Sequence, residues 1–565
     1  MKINTDVNNV KGNEINDLSN ERASKEAADK SGNEKTAVEE TVDLDNVLGE
    51  FKIHGRYHVK FMVLIALLVF TSGWHSTNYV FVAESVGYTC KYPNCDVSEL
   101  SKLRLNSSLD LKCHKYELID DNGTCSEDNF DESISTHCDE WVYDDPDSFV
   151  AELDLGCKDW KRTLIGTMHS IGYMFGLFLV GPLSDKFGRK KVIITTATAC
   201  AVVGISKSIT YSYWLYAFVE MLEPTLGDCY SATFTMENNV NISFLGMEMV
   251  TTEVRPIIVL LIGSFGVLGN ITMAIIAWLS PNWRIFLVYI YVPQFIFIFY
   301  IFWMDESPRW LLSKGKKTEA ENILRKAAKI NRITIEETKL SNLKCEESST
   351  NTSLLPLLKM TFTSKKLFLR LLCCICMWFT GLFNAYALTI NSVSLKGNKF
   401  LNYSITTGAG LPASVLLYFL LTKCNRKKPL IFSFLFTTIF CTGHSFLPSG
   451  YTWLSVLLYG GGNFAVFISI RIIYIYTSEL FPTYTRNTMH ALCSALGRTG
   501  AILAPQTPLL MSYWPGLPSL LIGVLSLLTA VVVTLLPDTS HDVLPDNVRQ
   551  AETIGKKEKD FCAKL

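Results

Sequence analysis

Apolar residues run along this 565-residue chain in long blocks, separated by short polar connections. A hydrocarbon layer of ~30 Å needs about 20 mainly apolar residues per helix. On that rule the pattern predicts twelve membrane-spanning helices: 60–83, 164–183, 192–209, 213–236, 257–279, 285–303, 367–390, 405–422, 429–447, 452–476, 489–512 and 517–536. The fourth is the least regular, because it carries Glu220, Glu223 and Asp228, with Glu237 and the polar run NNVNIS just beyond it. The expected organisation is a polar tail (1–59), a first six-helix half (60–303), a charged connection (304–366), a second six-helix half (367–536) and a final tail (537–565). The first fifty residues are charged and poor in aromatics, which reads as disorder, and no cleavable signal sequence is expected ahead of the first span.

Three landmarks recur in the same order at nearly one offset. Glu248 and Arg255 (EMVTTEVR) return as Glu479 and Arg486 (ELFPTYTR), 231 residues later. The run GRKKVII at 188–194 is echoed by NRKKPLI at 425–431, and DESPRW, starting at Asp305, more loosely by PDTSHDVLP, starting at Pro537. A repeated order of this kind points to duplication of a six-helix unit, an arrangement found in secondary transporters. The fold class expected is therefore an all-α integral membrane protein of two six-helix pseudo-repeats.

Composition agrees with a membrane protein: 48% of residues are hydrophobic and only 19% are charged, against roughly 25% in an ordinary soluble protein. A formal net charge of −1 gives no global basic field for nucleic acid. The charges are segregated, and the segregation sets an expected orientation. Lys186, Arg189, Lys190 and Lys191 crowd the second connection, and Lys423, Arg426, Lys427 and Lys428 the eighth. The sixth is rich in Lys and Arg, whereas the connections of opposite parity at 281–284, 447–451 and 513–516 are nearly uncharged. Basic loops face the cytoplasm, so both termini are expected there.

The first connection (84–161) is then extracellular. It is acidic, with 19 Asp and Glu against 7 Lys and Arg, and it holds Cys90, Cys95, Cys113, Cys125, Cys138 and Cys157. An even number of cysteines on the oxidising side predicts disulfides, with fifteen pairings open. The Asn-X-Ser/Thr sequons at Asn106, Asn122 and Asn402 are the candidate glycan sites. In the sixth connection, TEAENILRKAAKI from Thr318 places Ala320, Ile323, Ala327 and Ile330 on one helical face. A helix on the membrane surface or capping the bundle is expected there.

GPLSDKFGRKK at 181–191 resembles the loop between the second and third helices of the major facilitator superfamily. Within that superfamily the chain resembles the organic cation/anion/carnitine transporters over roughly 50–548. The marks are the cysteine-bearing loop ending in CDEWVYDDPDSFVAELDLGC (138–157), ESPRWLLSKGK (306–316), ELFPTYTRN (479–487) and LPDTSHDVLPDN (536–547). The resemblance implies a plasma-membrane glycoprotein that moves small organic ions by alternating access, with no cofactor and no enzymatic role. Its partners would be the solute, lipid, and a coupling ion or exchange solute. It also implies that Asp185, Arg189, Glu248 and Arg255 form the cytoplasmic gate of the first half, with Glu479 and Arg486 at the core of its counterpart. Simple anchoring of the loops is the competing role for these charges. A sugar-type facilitator and a receptor on the same scaffold are the alternative functions.

An ionisable residue inside a span is costly and generally faces a cavity or a partner. Arg471 in the tenth span and Arg498 in the eleventh stand out, and Arg498 falls where the family resemblance implies a cavity position. A guanidinium there would suit a carboxylate. Glu223, with Glu220, is a candidate for an ammonium group; an internal pair between Glu223 and either arginine is the competing reading. MWFTGLFNAY at 377–386 resembles the family's seventh-helix cavity stretch, which makes Trp378, Tyr386 and Asn384 candidate cavity residues. No HExxH, phosphate-binding loop or cytoplasmic Cys/His metal spacing occurs in the chain.

Overall fold

The computed structural model describes residues 44–51, 55–92, 95, 112–119, 125, 130–228, 255–343, 359, 362–423, 425–448, 450–539, 545 and 548–554. A backbone in hydrocarbon must satisfy its own hydrogen bonds, so the apolar blocks become helices. The first half comprises Arg56–Val82, Asp159–Phe187, Arg189–Lys207, Tyr213–Glu223, Arg255–Leu279 and Trp283–Trp303. The second comprises Lys365–Ser394, Lys399–Leu421, Lys427–Ser445, Thr452–Glu479, Thr483–Leu503 and Leu517–Thr534. Seven of these helices are by themselves long and apolar enough to cross a membrane. The others are shorter or interrupted. The fourth breaks at Pro224, where a wider turn runs to Asp228 because proline lacks an N–H.

Several helices outrun their apolar blocks. The seventh starts at Lys365 because Ser364 accepts the Leu367 N–H, and the eighth at Lys399 because Asn398 accepts those of Phe400 and Leu401. Capping of this kind satisfies donors that hydropathy does not register. Glycines bring backbones together inside each half, as small residues do in membrane bundles. A Cβ at Gly73 would lie 2.8 Å from the Gly266 carbonyl, and one at Gly269 would strike the Phe70 carbonyl. The halves meet along two seams, the second span on the eleventh and the fifth on the eighth.

At one end the seams are closed by hydrogen bonds between halves. Thr77 meets Tyr403 at 2.7 Å, Thr163 donates to Gln506 at 3.0 Å, and Lys399 pairs with Glu84. The first connection sits at this end. Its strand β1 (Tyr88–Cys90) pairs antiparallel with β4 (Trp141–Tyr143), and β2 (His114–Leu118) with β3 (Phe130–His137). All six cysteines are joined, as Cys90–Cys138, Cys95–Cys125 and Cys113–Cys157. Tyr92, Tyr116 and Phe130 form a small core beside the first of these. Asn106 and Asn122 lie outside the described residues. Asn402 does not present the exposed acceptor expected from its sequon: it is buried in the eighth helix, its Nδ2 donating to the Leu395 carbonyl at 3.0 Å.

At the opposite end, the stretch before the first span differs from the disordered tail expected. Leu44–Gly49 is helical, and Leu44, Val47, Leu48 and Phe51 are buried. Their spacing of i, i+3, i+4 and i+7 makes one apolar stripe. Glu50 pairs with Lys339 of the sixth connection at 2.7 Å and holds that ammonium above its ordinary range. The expected loop helix runs from Lys317 to Asn331. It buries Ala320, Leu324, Ala327 and Ala328, so its inner face is turned toward Leu324 from the one the sequence suggested. Asn331 accepts the Tyr57 N–H at 2.8 Å, and Lys326 pairs with Asp305 at 2.7 Å. The loop thus caps the foot of the first span.

The disulfide framework is directly testable. In unreduced, denatured protein the six loop cysteines should resist a thiol-reactive mass tag and become reactive only after reduction. Tagging of any of them before reduction would break the assigned pairing.

Candidate functional site

The intramembrane charges divide into two groups, one in each half. In the first half, Glu220 and Glu223 are a helical turn apart on the fourth span and fully buried. The carboxylates meet Lys207, at the end of the third span, with Nζ 3.0 Å from Glu220 Oε2 and 3.5 Å from Glu223 Oε2. His169 of the second span places Nδ1 2.9 Å from Glu220 Oε1 and 3.8 Å from Glu223 Oε2. Cys200 donates to Glu223 Oε1 at 3.2 Å. Lys207 and Asn78 both donate to the Tyr291 hydroxyl, at 2.7 and 2.6 Å. His75 stacks on Tyr291 with ring centroids 4.8 Å apart and bonds to Gln294 at 2.5 Å.

This arrangement corrects the sequence reading of Glu223. It pairs with neither Arg471 nor Arg498 among the described residues; the ammonium it meets is the protein's own Lys207. Lys207, His75 and His169 were legible by the same rule that singled out the arginines, since each is an ionisable residue inside an apolar block.

The second half holds the arginines. Arg498 is almost wholly buried in the same cavity wall as Tyr386, with its guanidinium 4.8 Å from the ring centre of Tyr173 on the second span. Together with Ser72, Ser76, His169 and Ser170, these side chains line a small cavity between the halves. Tyr386 thus lines this small cavity. Arg471 reaches the fifth span, where a Cβ on Gly263 would lie 3.1 Å from its Nη2. Among the described residues, no carboxylate forms an ion pair with either arginine.

Trp378 and Asn384 belong elsewhere. Trp378 is buried inside the second half, its Nε1 donating to Thr477 at 3.0 Å and its ring against Tyr474 and His490. Asn384 is fully buried and donates to Ser526 of the twelfth span at 2.8 Å. Both point into the helix bundle because the seventh helix is buried on most of its faces. A separate cavity of about 720 Å³ lies between the eighth, ninth and tenth spans, where Phe432, Phe436, Phe440 and Phe464 line it.

The basic loops form a second cluster in each half. Gly188 turns the chain at a φ of +99°, a conformation suited to glycine. The Glu306 carboxylate of ESPRW then accepts the Arg189 and Lys190 N–H groups at 2.9 and 3.1 Å, favoured at the positive end of the third helix. Asp185 pairs with Arg189 at 2.6 Å, and its carbonyl accepts the Trp310 Nε1–H. In the second half Glu479 lies 3.4 Å from Arg426 and accepts from Thr539 at 2.5 Å. Each half thus ties its basic loop to the segment leaving its last helix. Arg486 is buried at the start of the eleventh helix. Arg255 opens the fifth helix, and Glu248 lies outside the described residues. The sequence reading missed Glu306 and Arg426 as cluster members, although both sit in the repeated landmarks.

Lys207 should be structurally indispensable. Lys207→Met leaves two buried carboxylates facing each other, and removing one partner from a buried ionic group costs about 3–5 kcal/mol. Thermal unfolding of the detergent-purified variant should show that loss, and adding Glu220→Gln should restore much of it. A variant Lys207→Met as stable as the parent would contradict the assigned pairing.

Residues 127–546 match the sugar (and other) transporter family. An organic cation transporter protein of Drosophila melanogaster is 28% identical over 543 residues, covering 91% of this chain and 95% of the relative. The organic cation/carnitine transporter 2 of Mus musculus is 27% identical over 531 residues, covering 90% and 94%. Among solved structures, the inward-open xylose transporter XylE from E. coli superposes with a TM-score of 0.54 at 16% identity, covering 87% of this chain and 99% of that one. That likeness carries the fold. A match across most of the chain, the twelve-helix duplicated architecture and a charged cavity between the halves lead to one conclusion: this is a multi-pass membrane transporter of the sugar (and other) transporter family, in the major facilitator superfamily, and it is grouped by similarity with the organic cation and carnitine transporters.

Proposed function

We propose that the chain carries a small organic anion or zwitterion, such as a carnitine-like molecule, across the plasma membrane by alternating access. The relatives' names supply the class of small organic ions, and the cavity narrows it. The observation that carries the reading is the Arg498 guanidinium, held against Tyr173 and Tyr386 in the cavity with no carboxylate paired to it among the described residues. Arg471, likewise without an ion pair among those residues, adds positive potential from the side of the fifth span. The available acids, Glu220 and Glu223, are committed to Lys207. A simple cation would therefore meet net positive charge. A carboxylate would meet a bidentate donor, and the two tyrosine faces suit the apolar or quaternary-ammonium part of a zwitterion.

The basic-loop end is taken as cytoplasmic, with both termini there, on the charge asymmetry of the connections. The disulfide-bearing loop then faces the oxidising side. Asp185, Arg189 and Arg255, with Glu248 and the counterpart cluster of Glu479 and Arg486, serve as the cytoplasmic gate. Its charges come together when that side closes.

Two experiments test these readings. In uptake assays against a panel of tetraethylammonium, benzoate and L-carnitine, saturable uptake is expected for the solutes bearing a carboxylate. Arg498→Asp should abolish it, because losing one partner of a buried pair costs about 3–5 kcal/mol, more than 100-fold in affinity. Arg498→Lys should keep a part, since charge survives without the fork geometry. Undiminished benzoate or carnitine uptake by well-expressed Arg498→Asp would remove Arg498 from the substrate site. For the gate, Asp185→Asn and Arg255→Ala should each slow uptake while surface biotinylation stays near the parent level; parent rates in both would reduce these residues to loop anchors.

A further inference from the structure

The buried cluster of the first half does not balance its own charge. Glu220 and Glu223 bring two negative charges and Lys207 one positive charge, and none of the three is measurably exposed. Among the described residues, the other titratable or charged groups around them are His169 and Tyr173 of the second span, His75 and Tyr79 of the first, Cys200 of the third, Tyr216 of the fourth and Tyr291 of the sixth, with Arg284 beyond Tyr216. Arg284 is the one permanent cation of this set, and it is already paired with Glu152 at 3.0 Å. An uncompensated charge in such a place is expensive, and one additional proton removes it.

The position of His169 gives that proton a route. Its imidazole faces Glu220 and Glu223 on one side and forms part of the cavity wall that includes Arg498 and Tyr386 on the other. His75 is enclosed by Tyr291 and Gln294. Lys207 is held by two carboxylates and a phenol, so its charge stays constant while that of the His169–Glu223 pair changes.

We propose that the His169–Glu220–Glu223–Lys207 cluster is a proton-binding site coupled to the carboxylate site at Arg498, so that the chain moves its anion or zwitterion together with one proton. The proposal rests on the anion reading above. Water in the cavity delivers the proton, which forms one N–H bond on His169, or one O–H on Glu223 behind it. On the opposite face of the membrane that bond breaks and the proton returns to water. No other bond changes, and a transmembrane proton gradient supplies the driving force.

Coupling follows from charge. Arg498 and a protonated His169 are like charges on one cavity wall, so bare Arg498 opposes protonation. A carboxylate bound at Arg498 removes that opposition, and by linkage the proton strengthens carboxylate binding by the same factor. Apparent affinity should therefore be higher at pH 6 and lower at pH 8. The change should be about tenfold, within the 5–150-fold range of such couplings.

The test uses the full chain reconstituted in sodium-free liposomes, with labelled L-carnitine and benzoate as probes. An alkaline interior should drive accumulation of at least one probe above equilibrium, a protonophore should abolish it, and a sodium gradient should not replace it. In Glu223→Gln and in His169→Gln, gradient-driven accumulation should fall more than tenfold, while counterflow, which needs no net proton movement, should fall far less. A second measurement needs no substrate: on shifting the purified protein from pH 6 to pH 9, the parent should release about one proton more than Glu223→Gln. Accumulation driven by sodium and indifferent to pH, or gradient-driven accumulation retained in Glu223→Gln, overturns the proposal. Equal proton release by parent and Glu223→Gln overturns it as well. If neither probe enters the parent liposomes the anion reading fails, and the proton count still decides whether the cluster is a proton site.

Discussion

An apolar solvent penalises every polar group that lacks a partner, and this one constraint organises the molecule from backbone to cavity. Backbone groups answer it by forming helices. Charged side chains answer it differently in the two halves. The first half gathers Lys207, Glu220, Glu223 and His169 into a buried cluster that borrows Tyr291 and Cys200 as further partners. The second half leaves Arg498 and Arg471 facing the first half, against the second and fifth spans, without a carboxylate among the described residues. The first arrangement stabilises a bundle, and the second presents a cation to whatever enters. Its relatives include proteins named as transporters, and a cavity between halves, with charge contributed mainly from one side, is a structure through which a solute can be bound and passed.

The two ends are built for different tasks. At the disulfide-loop end, alongside the Lys399–Glu84 ion pair, neutral hydrogen bonds between Thr77 and Tyr403 and between Thr163 and Gln506 join the halves. Each is a contact that separation of the halves can break and water can replace, since the net value of such a bond is only about 0.5–1.5 kcal/mol. At the basic-loop end the described ion pairs stay within a half: Asp185 with Arg189, Glu479 with Arg426. Each half is thereby tied to itself through the segment that follows its last helix. That favours movement of the halves as rigid bodies, as in transporters built from repeats. The helix at Leu44–Gly49 and the loop helix at Lys317–Asn331 extend the first half with a capping layer on the foot of the first span.

Hydropathy and repetition carried a large part of this picture. Twelve blocks at spanning length, a duplicated landmark order and an even set of loop cysteines are local or one-dimensional signals. Bilayer thickness, gene duplication and oxidising chemistry each leave them directly in the residue order. For the same reason the sequence marked Arg498, Arg471 and Glu223 as exceptional: a charge in an apolar block is visible without knowing what lies beside it. Some signals were present but weaker. Lys207 sits near the end of its span, where a lysine can reach an interface, and the apolar stripe ending at Phe51 is short within a polar tail.

Partnership was decided only by the tertiary structure. Residues that meet across 13 to 51 positions, such as Lys207 with Glu220 and His169 with Glu220, are brought together by helix packing, and no local pattern encodes which faces of two spans will oppose each other. The same is true of the seventh helix, where Trp378, Asn384 and Tyr386 stand within nine residues yet separate, two into the bundle and one onto the cavity. A helix turns about 100° per residue, so a stretch resembling a cavity lining contributes only the side chains that its rotation happens to present. Composition and order therefore determined that this chain crosses a membrane as a duplicated transporter. Which charges neutralise one another, and which remain for a solute, followed from the packing of helices distant in sequence.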